Sequence, residues 1–176
     1  MDLVYTGAGL AGAVFLHQAG GSLVSDSRGQ IIGLSLIAQG FATGEDLRPR
    51  PSAAGAGYDP LNSGGNNLGL LDQKLIDRMK GDAVTIAREY GPLPIPADAL
   101  TTSARGLDPD VTPQNARLHL ARIAARQGVF ALAIQALIDT PTVQPVLGFI
   151  GQPTVNVLAV SRALDARYPM VHPRTP

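Results

Sequence analysis

Residues 48–69 read RPRPSAAGAGYDPLNSGGNNLG and lie between two apolar segments of the chain. The stretch has neither the spacing of an amphipathic helix nor the alternation of a half-buried strand. Long structureless loops inside compact domains are uncommon, and they are usually functional or disordered. We predict an ordered loop, because its prolines restrict the unfolded chain and its Asn and Ser side chains can bond neighbouring backbone groups.

Arg50 is the residue of this loop that we predict to act as a structural clamp. A guanidinium can hold several carbonyl oxygens, or a carboxylate, at the same time. An exposed arginine beside a proline is the alternative that the residues leave open. The glycines of the loop permit a positive φ or the close approach of another chain segment.

The composition limits the classes of protein to which the chain can belong. Its 176 residues are enough for one domain with a substantial core. The formal net charge is zero, which argues against a nucleic-acid binder, since such a protein needs a basic face. The chain has no cysteine, which excludes a disulfide, a thiolate metal site and a cysteine nucleophile.

The chain begins with an apolar segment in which residues 3–16 carry no charge. A membrane-spanning helix needs about 20 such residues. A signal peptide would begin with basic residues, whereas the charge before this segment is Asp2. Two interpretations therefore remain open: a buried helix of a soluble domain, and the outer half of a membrane helix whose first half is missing.

The first half of the chain shows strand patterns followed by a helical pattern. Residues 22–24 and 31–37 are apolar and partly β-branched, and the turn sequence SDSRGQ between them predicts a hairpin. After the long loop, residues 71–90 have helical spacing on one face. Gly81 is a possible break in this helix, and the pair Gly91-Pro92 is expected to end it.

The second half contains further helical segments and one β-branched segment. Residues 112–128 predict one helix with Thr112 as N-cap and Gly128 as its end. Residues 129–139 are apolar nearly all round, which predicts a well-buried helix. Residues 154–160 predict a buried strand, and residues 161–169 a short final helix. This order predicts an α+β fold in which a small β-sheet packs with helices.

The sequence carries no self-sufficient catalytic set. It has no phosphate-binding G-x-x-x-x-G-K-[ST] motif, no G-x-G-x-x-G and no G-x-S-x-G elbow. His17, His119 and His172 are far apart and lack the spacing of metal ligands, so we predict no metal site. Each of these histidines is expected to be an ordinary surface or capping residue.

Two charged groups near the middle of the chain also favour structural roles. Asp108 and Asp110 precede a helix, where carboxylates usually serve turns and caps. Arg117, Arg122 and Arg126 are predicted to form one basic side of the following helix. We expect this side to face solvent or a partner and not to bind an anion.

Four stretches of the chain, in the same order, resemble a known family, the C subunit of the bacterial potassium-transporting ATPase (the Kdp system). Residues 50–69 resemble its central signature, and HQAGGSLV resembles the segment after its membrane helix. TTSARGLDPDVTPQNARLHLARIAARQG and GQPTVNVLAVSRALD resemble two later segments. The chain departs from the usual pattern at Asn66, where Ser is common, and at Ser161, where Asn is common.

The resemblance implies a membrane-anchored architecture. Residues 1–18 would be the remnant of a truncated N-terminal transmembrane anchor helix, residues 19–168 an extracytoplasmic domain, and residues 169–176 a flexible tail. The protein would then be a single-pass protein of the cell inner membrane with its main domain in the periplasm. In the isolated chain, self-association through residues 1–16 is expected.

The resemblance also implies a function. The chain would be a non-catalytic accessory subunit of a P-type ATPase for potassium transport, with an ATP-hydrolysing and a potassium-binding subunit as its partners. It would assemble or stabilise the pump and raise the ATP affinity of the hydrolysing subunit, with no tightly bound cofactor and ATP possible at the level of the complex. The alternative, from another class, is a stand-alone soluble ligand-binding or enzyme domain that has lost the complex.

The matched motifs give two sets of candidate site residues. The first is a docking or nucleotide-contact loop, formed by Arg50, Pro51, Ser52, Ser63, Gly64, Gly65, Asn66 and Asn67. The second is a set of further motif positions, namely Ser103, Gly106, Leu107, Asp108, Pro109, Gln152 and Asn156. The segment SGGNN could present backbone N–H groups to an anion and resembles the S-G-G of ABC-type ATPases, but no lysine adjoins it. The residues therefore favour a docking surface over nucleotide contact.

Overall fold

The computed structural model describes residues 22–26, 29–41, 44–140, 142–145, 147 and 150–169. The predicted anchor, the segment predicted to self-associate and the tail from residue 170 lie outside the described residues. Within the described part the fold is α+β, as the sequence predicted, with helices, a three-stranded sheet against which helices pack, and a separate two-stranded hairpin.

The strands form one hairpin and one three-stranded sheet. β1 (Leu23–Ser25) and β2 (Ile31–Leu34) pair antiparallel, which confirms the predicted hairpin. The second strand is shorter than predicted, because a turn follows in which the Ile37 N–H donates to the Leu34 carbonyl. The second sheet has β3 (Asp110–Val111), β4 (Thr142–Val143) and β5 (Thr154–Asn156) in the order β3-β5-β4, with both pairs antiparallel.

Six helices and one 3-10 turn complete the described part of the chain. The helices are α1 (Gln73–Tyr90), α2 (Ala97–Leu100), α3 (Pro113–Leu118), α4 (Leu120–Gln127), α5 (Ala131–Asp139) and α6 (Val157–Arg167), and the 3-10 turn is Pro60–Asn62. α1 confirms the predicted helix and runs through Gly81 without a break. Its N-cap is Asp72, whose carboxylate accepts from the Lys74 N–H, and it ends at Gly91, whose φ is 86°.

The helix predicted over residues 112–128 is in fact two helices. Thr112 caps α3 and Gly128 ends α4 with φ 67°, as predicted. At His119 the backbone N–H donates to the Ala116 carbonyl, three residues back instead of four, so a tighter turn separates α3 from α4. The His119 side chain lies inside the domain, where it is 5% exposed.

The strand predicted over residues 154–160 is wrong beyond Asn156. The Asn156 carboxamide oxygen accepts from the Ala159 N–H at 3.0 Å and so caps α6, which begins at Val157. Val157 and Val160 are buried on the core side of this helix. β-branched residues thus fill a buried helical face, and the final helix starts four residues before the predicted one.

α5 is less buried than predicted. Ile134 and Ile138 are fully buried, four residues apart on one face. Leu132, however, is 79% exposed, and Phe130 just before the helix is 87% exposed. One stripe of the helix therefore faces the core, although most of its residues are apolar.

The core is formed by helices α3 to α6, the three-stranded sheet and the loop residue Leu47. Its buried members are Leu47, Val111, Ala116, Ile123, Ala124, Ile134, Ile138, Val155, Val157, Val160 and Leu164. α1 contributes no fully buried residue to this core. No single described helix is long and apolar enough to cross a membrane; α4 and α5 reach that length and hydropathy together, but they are bent by 119° at their junction.

Replacing Ser161 by alanine is expected to stabilise the chain by about 1 kcal/mol. Ser161 is 1% exposed on α6, and its hydroxyl has no hydrogen-bond partner among the described residues. The substitution removes a desolvated polar group and introduces a better helix former. Urea unfolding of Ser161→Ala measures the change. Ser52→Ala is the matched control, since the Ser52 hydroxyl has three partners, and a destabilised Ser161→Ala chain would contradict the prediction.

Candidate functional site

The loop of residues 48–69 packs against residues 101–109, and we call these two segments together the braced loops. Arg50 joins them as the predicted clamp. One guanidinium nitrogen lies 3.3 Å from an Asp108 carboxylate oxygen. A second guanidinium nitrogen donates to the Thr101 hydroxyl at 3.2 Å and to the Thr102 carbonyl at 3.3 Å. Arg50 therefore fixes the distance between two segments that are far apart in sequence.

Ser52 makes the second connection between the braced loops. Its hydroxyl donates to the Gly106 carbonyl at 2.7 Å and accepts from the N–H groups of Ala54 and Tyr58. The Tyr58 hydroxyl in turn donates to the Arg50 carbonyl at 2.9 Å. Burial raises the pKa of Tyr58, against the opposing charge of Arg48, so this phenol stays a neutral donor. The bond from Tyr58, the single tyrosine of the loop, to Arg50 thus closes the turn formed by residues 50–58.

The glycines of the motifs lie at the contact between the two loops. Gly106 has φ 72°, and a Cβ there would lie 2.6 Å from the Ala54 nitrogen. A Cβ on Gly65 would lie 2.5 Å from the Ala104 carbonyl oxygen. The Gly64 N–H and the Ser63 hydroxyl both donate to the Arg105 carbonyl, at 3.1 and 3.3 Å. The glycines therefore serve close packing of one backbone on another.

The further motif positions connect the braced loops to the rest of the fold. Carbonyls of Leu107 and Pro109 accept from the N–H groups of Ala38 and Val157. The bonds from Ala38 and Val157 attach the second loop to the segment after the hairpin and to the start of α6. Within the second loop, the Ser103 hydroxyl accepts from the Asp108 N–H at 3.4 Å.

Asn156 and the two aspartates form a polar link beside this attachment. The Asn156 amide donates to the Ser35 carbonyl and to an Asp110 carboxylate oxygen, both at 3.0 Å. The Asp108 carboxylate accepts from the Asp110 N–H at 3.1 Å, which confirms the predicted turn chemistry. Asn156 thus ties the hairpin, β3 and α6 together.

Three of the candidate residues point away from this network. Gln152 is exposed and lines a cleft of about 780 Å³ together with Arg50 and the segment Leu93, Pro94, Ile95 and Pro96. Asn67 is exposed and has φ 49°, a conformation that asparagine tolerates better than other side chains. Pro51 lines a smaller cleft on the other side of the loop.

This smaller cleft, of about 260 Å³, lies between α1 and the start of the long loop, beside a polar cluster that sequence analysis missed. We call Arg48, Glu89, Tyr90, His119 and Arg122 the helix-end cluster. The Tyr90 hydroxyl lies 2.8 Å from His119 Nδ1, and an Arg122 nitrogen lies 3.1 Å from the same atom. Glu89 pairs with Arg48 at 2.8 Å and with Arg122 at 3.5 Å.

The surroundings of His119 keep its ring neutral. Burial, and then the charges of Arg122 and Arg48, lower its pKa from 6.5 to about 3. A guanidinium can only donate, so Nδ1 is the acceptor and the ring hydrogen is on Nε2. Burial also raises the pKa of Tyr90, which remains a donor. The prediction of a surface histidine is therefore wrong for His119; the residue does occupy the cap position between α3 and α4, but its side chain makes no capping bond.

The predicted basic side of the arginine helix is also wrong. The break at His119 separates Arg117 from Arg122 and Arg126. The Arg122 side chain is 11% exposed, and it donates to the Gly44 carbonyl and, at 2.8 Å, to the Asp46 carbonyl. Arg117 remains outside and pairs with Asp139 at 3.3 Å. One of the three arginines is thus an internal connector.

A local signal for the helix-end cluster was present in the sequence. Tyr90 continues the apolar face of the helix up to the Gly91-Pro92 stop, and a buried tyrosine hydroxyl usually finds a hydrogen-bond partner. Its partners could not be inferred, because they come from distant segments. No group of three or more His, Asp or Glu residues in the described part of the chain could hold a metal ion.

Comparison with known proteins agrees with the motif matches. A family model described as K+-transporting ATPase, c chain, matches residues 2–166. The chain belongs to the KdpC family. It is 54% identical over 161 residues to the potassium-transporting ATPase KdpC subunit of Caulobacter vibrioides strain NA1000, covering 92% of this chain and 82% of that protein.

More distant family members match over a similar extent. The KdpC subunit of Koribacter versatilis is 45% identical over 166 residues, covering 94% of this chain and 86% of that protein. The KdpC subunit of Geobacter sulfurreducens is 41% identical over 163 residues, with coverages of 92% and 86%. The motif positions joined in the braced loops therefore lie within the part of the chain that the family shares.

Proposed function

We propose that this chain is a non-catalytic accessory subunit of an ATP-driven potassium-uptake pump of the P-type and that it holds the pump together. The family match supports the membership in such a complex. The alternative of a stand-alone soluble domain has no comparable support, since the curated relatives are named as subunits of the potassium-transporting ATPase. The expected partners are the ATP-hydrolysing and potassium-binding subunits.

The brace formed by Arg50, Ser52 and Gly106 is the observation that supports docking most directly. It presents a long irregular loop as a preformed shape, which reduces the entropy lost on association. On the side away from these contacts the loop exposes apolar side chains to solvent. Leu61 is 92% exposed, and Leu70 and Leu71, which directly follow the loop, are 89% and 93% exposed. We propose that this outer side of the braced loops, taken together with the adjoining Leu70 and Leu71, contacts another subunit.

Direct nucleotide contact has less support than docking. The Gly64 N–H, which an anion would need, already donates to the Arg105 carbonyl. The Ala104 carbonyl oxygen also lies against Gly65, and an oxygen there repels an anion. We propose that any rise in the ATP affinity of the hydrolysing subunit acts through docking in the complex.

For location, we propose the arrangement that the resemblance implied. Residues 1–18 belong to a single membrane anchor in the inner membrane, residues 19–168 form the extracytoplasmic domain, and residues 169–176 form the tail. Protease accessibility of a tag at the C-terminus, in spheroplasts compared with lysed cells, tests this orientation. Cleavage that requires lysis would place the domain on the cytoplasmic side and overturn it.

Removing side chains from the outer side of the braced loops is expected to weaken subunit assembly by about tenfold or more while the isolated chain stays folded. Asn67→Gly removes a side chain and suits the positive φ at this position, and Leu71→Ser removes an exposed apolar group. Co-purification of the pump through a tag on this chain measures assembly, and thermal unfolding of the isolated chain measures its stability.

Leu132→Ser is the matched control for this experiment. Leu132 is 79% exposed on α5, so the substitution removes a similar apolar surface elsewhere. We expect Leu132→Ser to leave co-purification unchanged. Equal yields from the control and both loop variants would overturn the docking surface, and assembly lost through Leu132→Ser alone would move the surface to α5.

A further inference from the structure

The polar contacts of α1 with the helix-end cluster lie at one end of the helix. None of its residues is fully buried, although a half-buried stripe that includes Ile76, Met79 and Ile86 runs along it. The contacts with Arg48, Arg122 and His119 are made by its last two residues, Glu89 and Tyr90. The helix-end cluster therefore holds the C-terminal turn of α1 on the domain.

We propose that His119 is an acid-sensitive latch for α1: its neutral ring holds the C-terminal turn of the helix against the domain, and protonation releases that turn. The inference concerns the chain by itself and does not depend on the proposed function.

The geometry of the ring makes the latch specific for the neutral form. Nδ1 accepts from the Tyr90 hydroxyl at 2.8 Å and from Arg122 at 3.1 Å. A protonated imidazole donates from both nitrogens and accepts from neither. Protonation would therefore break the bond from Tyr90 as it stands and place two cations 3.1 Å apart in a buried site.

The charges around the ring reinforce this effect. Arg48 of the long loop and Arg122 of α4 bring positive charge, and Glu89 of α1 lies between them. Asp82 of α1 lines the same cleft and is paired with Arg78 of its own helix. Asp46, whose carbonyl accepts from Arg122, is buried next to this arginine. Glu89 is already shared by two guanidinium groups, so it compensates an additional positive charge on His119 only weakly.

The adjacent cleft gives the ring a route to water once α1 moves. The cleft of about 260 Å³ is bounded on one side by Asp82, Thr85, Ile86, Glu89 and Tyr90, all on α1, and on another by His119. Movement of the helix end away from the core would open this space. The imidazolium would then be solvated, and its ordinary basicity restored.

The sign of the pH effect follows from the lowered pKa of His119. In the closed state the pKa is about 3, whereas the free ring has 6.5, so the contact is complete above pH 6.5 and is lost as the pH falls toward 3. Within this window the ratio of open to closed α1 rises by up to about tenfold for each pH unit.

Hydrogen–deuterium exchange of the full chain between pH 7.5 and 4.5, corrected for intrinsic exchange rates, tests the latch. We expect the amides of α1 to lose protection below pH 6.5 while those of α5 and α6 keep theirs. In His119→Asn the carboxamide oxygen takes nearly the position of Nδ1 and does not titrate, so α1 protection should become independent of pH. His172→Asn is the control, and it should respond as the unmodified chain does.

Two results would overturn the latch. One is a pH response of α1 that persists in His119→Asn, and the other is a simultaneous loss of protection in α1, α5 and α6, which would be global unfolding. Glu89→Gln tests whether the pH response comes from His119 or from Glu89. If His119 is the latch, α1 keeps its pH response in this variant.

If His119→Asn does not fold, the variant Tyr90→Phe tests the latch in its place. The variant keeps the ring but removes the hydroxyl that donates to Nδ1, so α1 should open at a higher pH than in the unmodified chain. An unchanged midpoint in Tyr90→Phe would refute the latch.

Discussion

Gly106→Ala is expected to lower the free energy of unfolding by about 3 kcal/mol, which corresponds to a fall in Tm of about 10 °C for a chain of this size. Gly106 has φ 72°, where a side chain costs energy even with free space around it. A Cβ would also lie 2.6 Å from the Ala54 nitrogen, 2.9 Å from the Ala54 Cβ and 3.0 Å from the Gly64 carbonyl oxygen.

These neighbours are mostly backbone atoms of the braced loops, so the overlap cannot be relieved by a rotating side chain. Relief requires the two loops to separate, and this would strain the bond from Ser52 to the Gly106 carbonyl and the contacts of Arg50. We therefore expect Gly106→Ala to weaken assembly of the complex as well as stability.

Gly128→Ala is the matched control for the steric part of this effect. Gly128 has φ 67°, nearly the same conformation, but a Cβ there would have nothing within 4 Å. The expected loss is about 1 kcal/mol, from backbone strain alone. Thermal unfolding of both variants gives the difference, and equal losses would show that contact between the two loops adds nothing to stability.

Features that depend on neighbouring residues could be predicted from the sequence. The turn residues between β1 and β2, the N-cap Thr112 and the stops at Gly91 and Gly128 each act within a few residues, and the structure confirms them. The clamp at Arg50 followed from the chemistry of its side chain. Its partners in residues 101–108 did not, because nothing local in the sequence sets that pairing.

The errors arose where tertiary contacts outweigh a local pattern. Asn156 belongs to a β-branched run, yet its side chain caps a helix and bonds to Ser35 and Asp110 at the same time. His119 sits in a regular helical period, yet a tighter turn interrupts the helix at this residue, whose ring contacts Tyr90. The two deviations place Asn156 and His119 at junctions between elements.

Arg122→Ala is expected to lower the free energy of unfolding by about 3 kcal/mol, whereas Arg117→Ala should lower it by at most about 0.5 kcal/mol. The sequence predicted both arginines on one side of a helix, facing solvent or a partner. In the structure Arg122 is 11% exposed and donates to the carbonyls of Gly44 and Asp46, whereas Arg117 is 46% exposed beside an equally exposed Asp139.

Truncation of Arg122 leaves the two carbonyls without this donor inside the protein, and the unmet hydrogen bonds carry most of the cost. The cation–π contact with the Tyr90 ring, at 5.7 Å, is lost as well. Arg122→Lys should lie between alanine and the unmodified chain, since a lysine keeps the charge but cannot reach both carbonyls with a planar fork.

Urea unfolding at pH 7.5 measures the three variants, and equal losses for Arg122→Ala and Arg117→Ala would contradict the internal role. A second measurement at pH 4 separates the hydrogen bonds from the charge. Arg122 is, after burial, the largest of the influences that lower the pKa of His119, so its removal raises that pKa from about 3 toward 6.5. The loss of stability between pH 7.5 and pH 4 should therefore be smaller in Arg122→Ala than in the unmodified chain, because pH 4 is close enough to the folded-state pKa for this change to count.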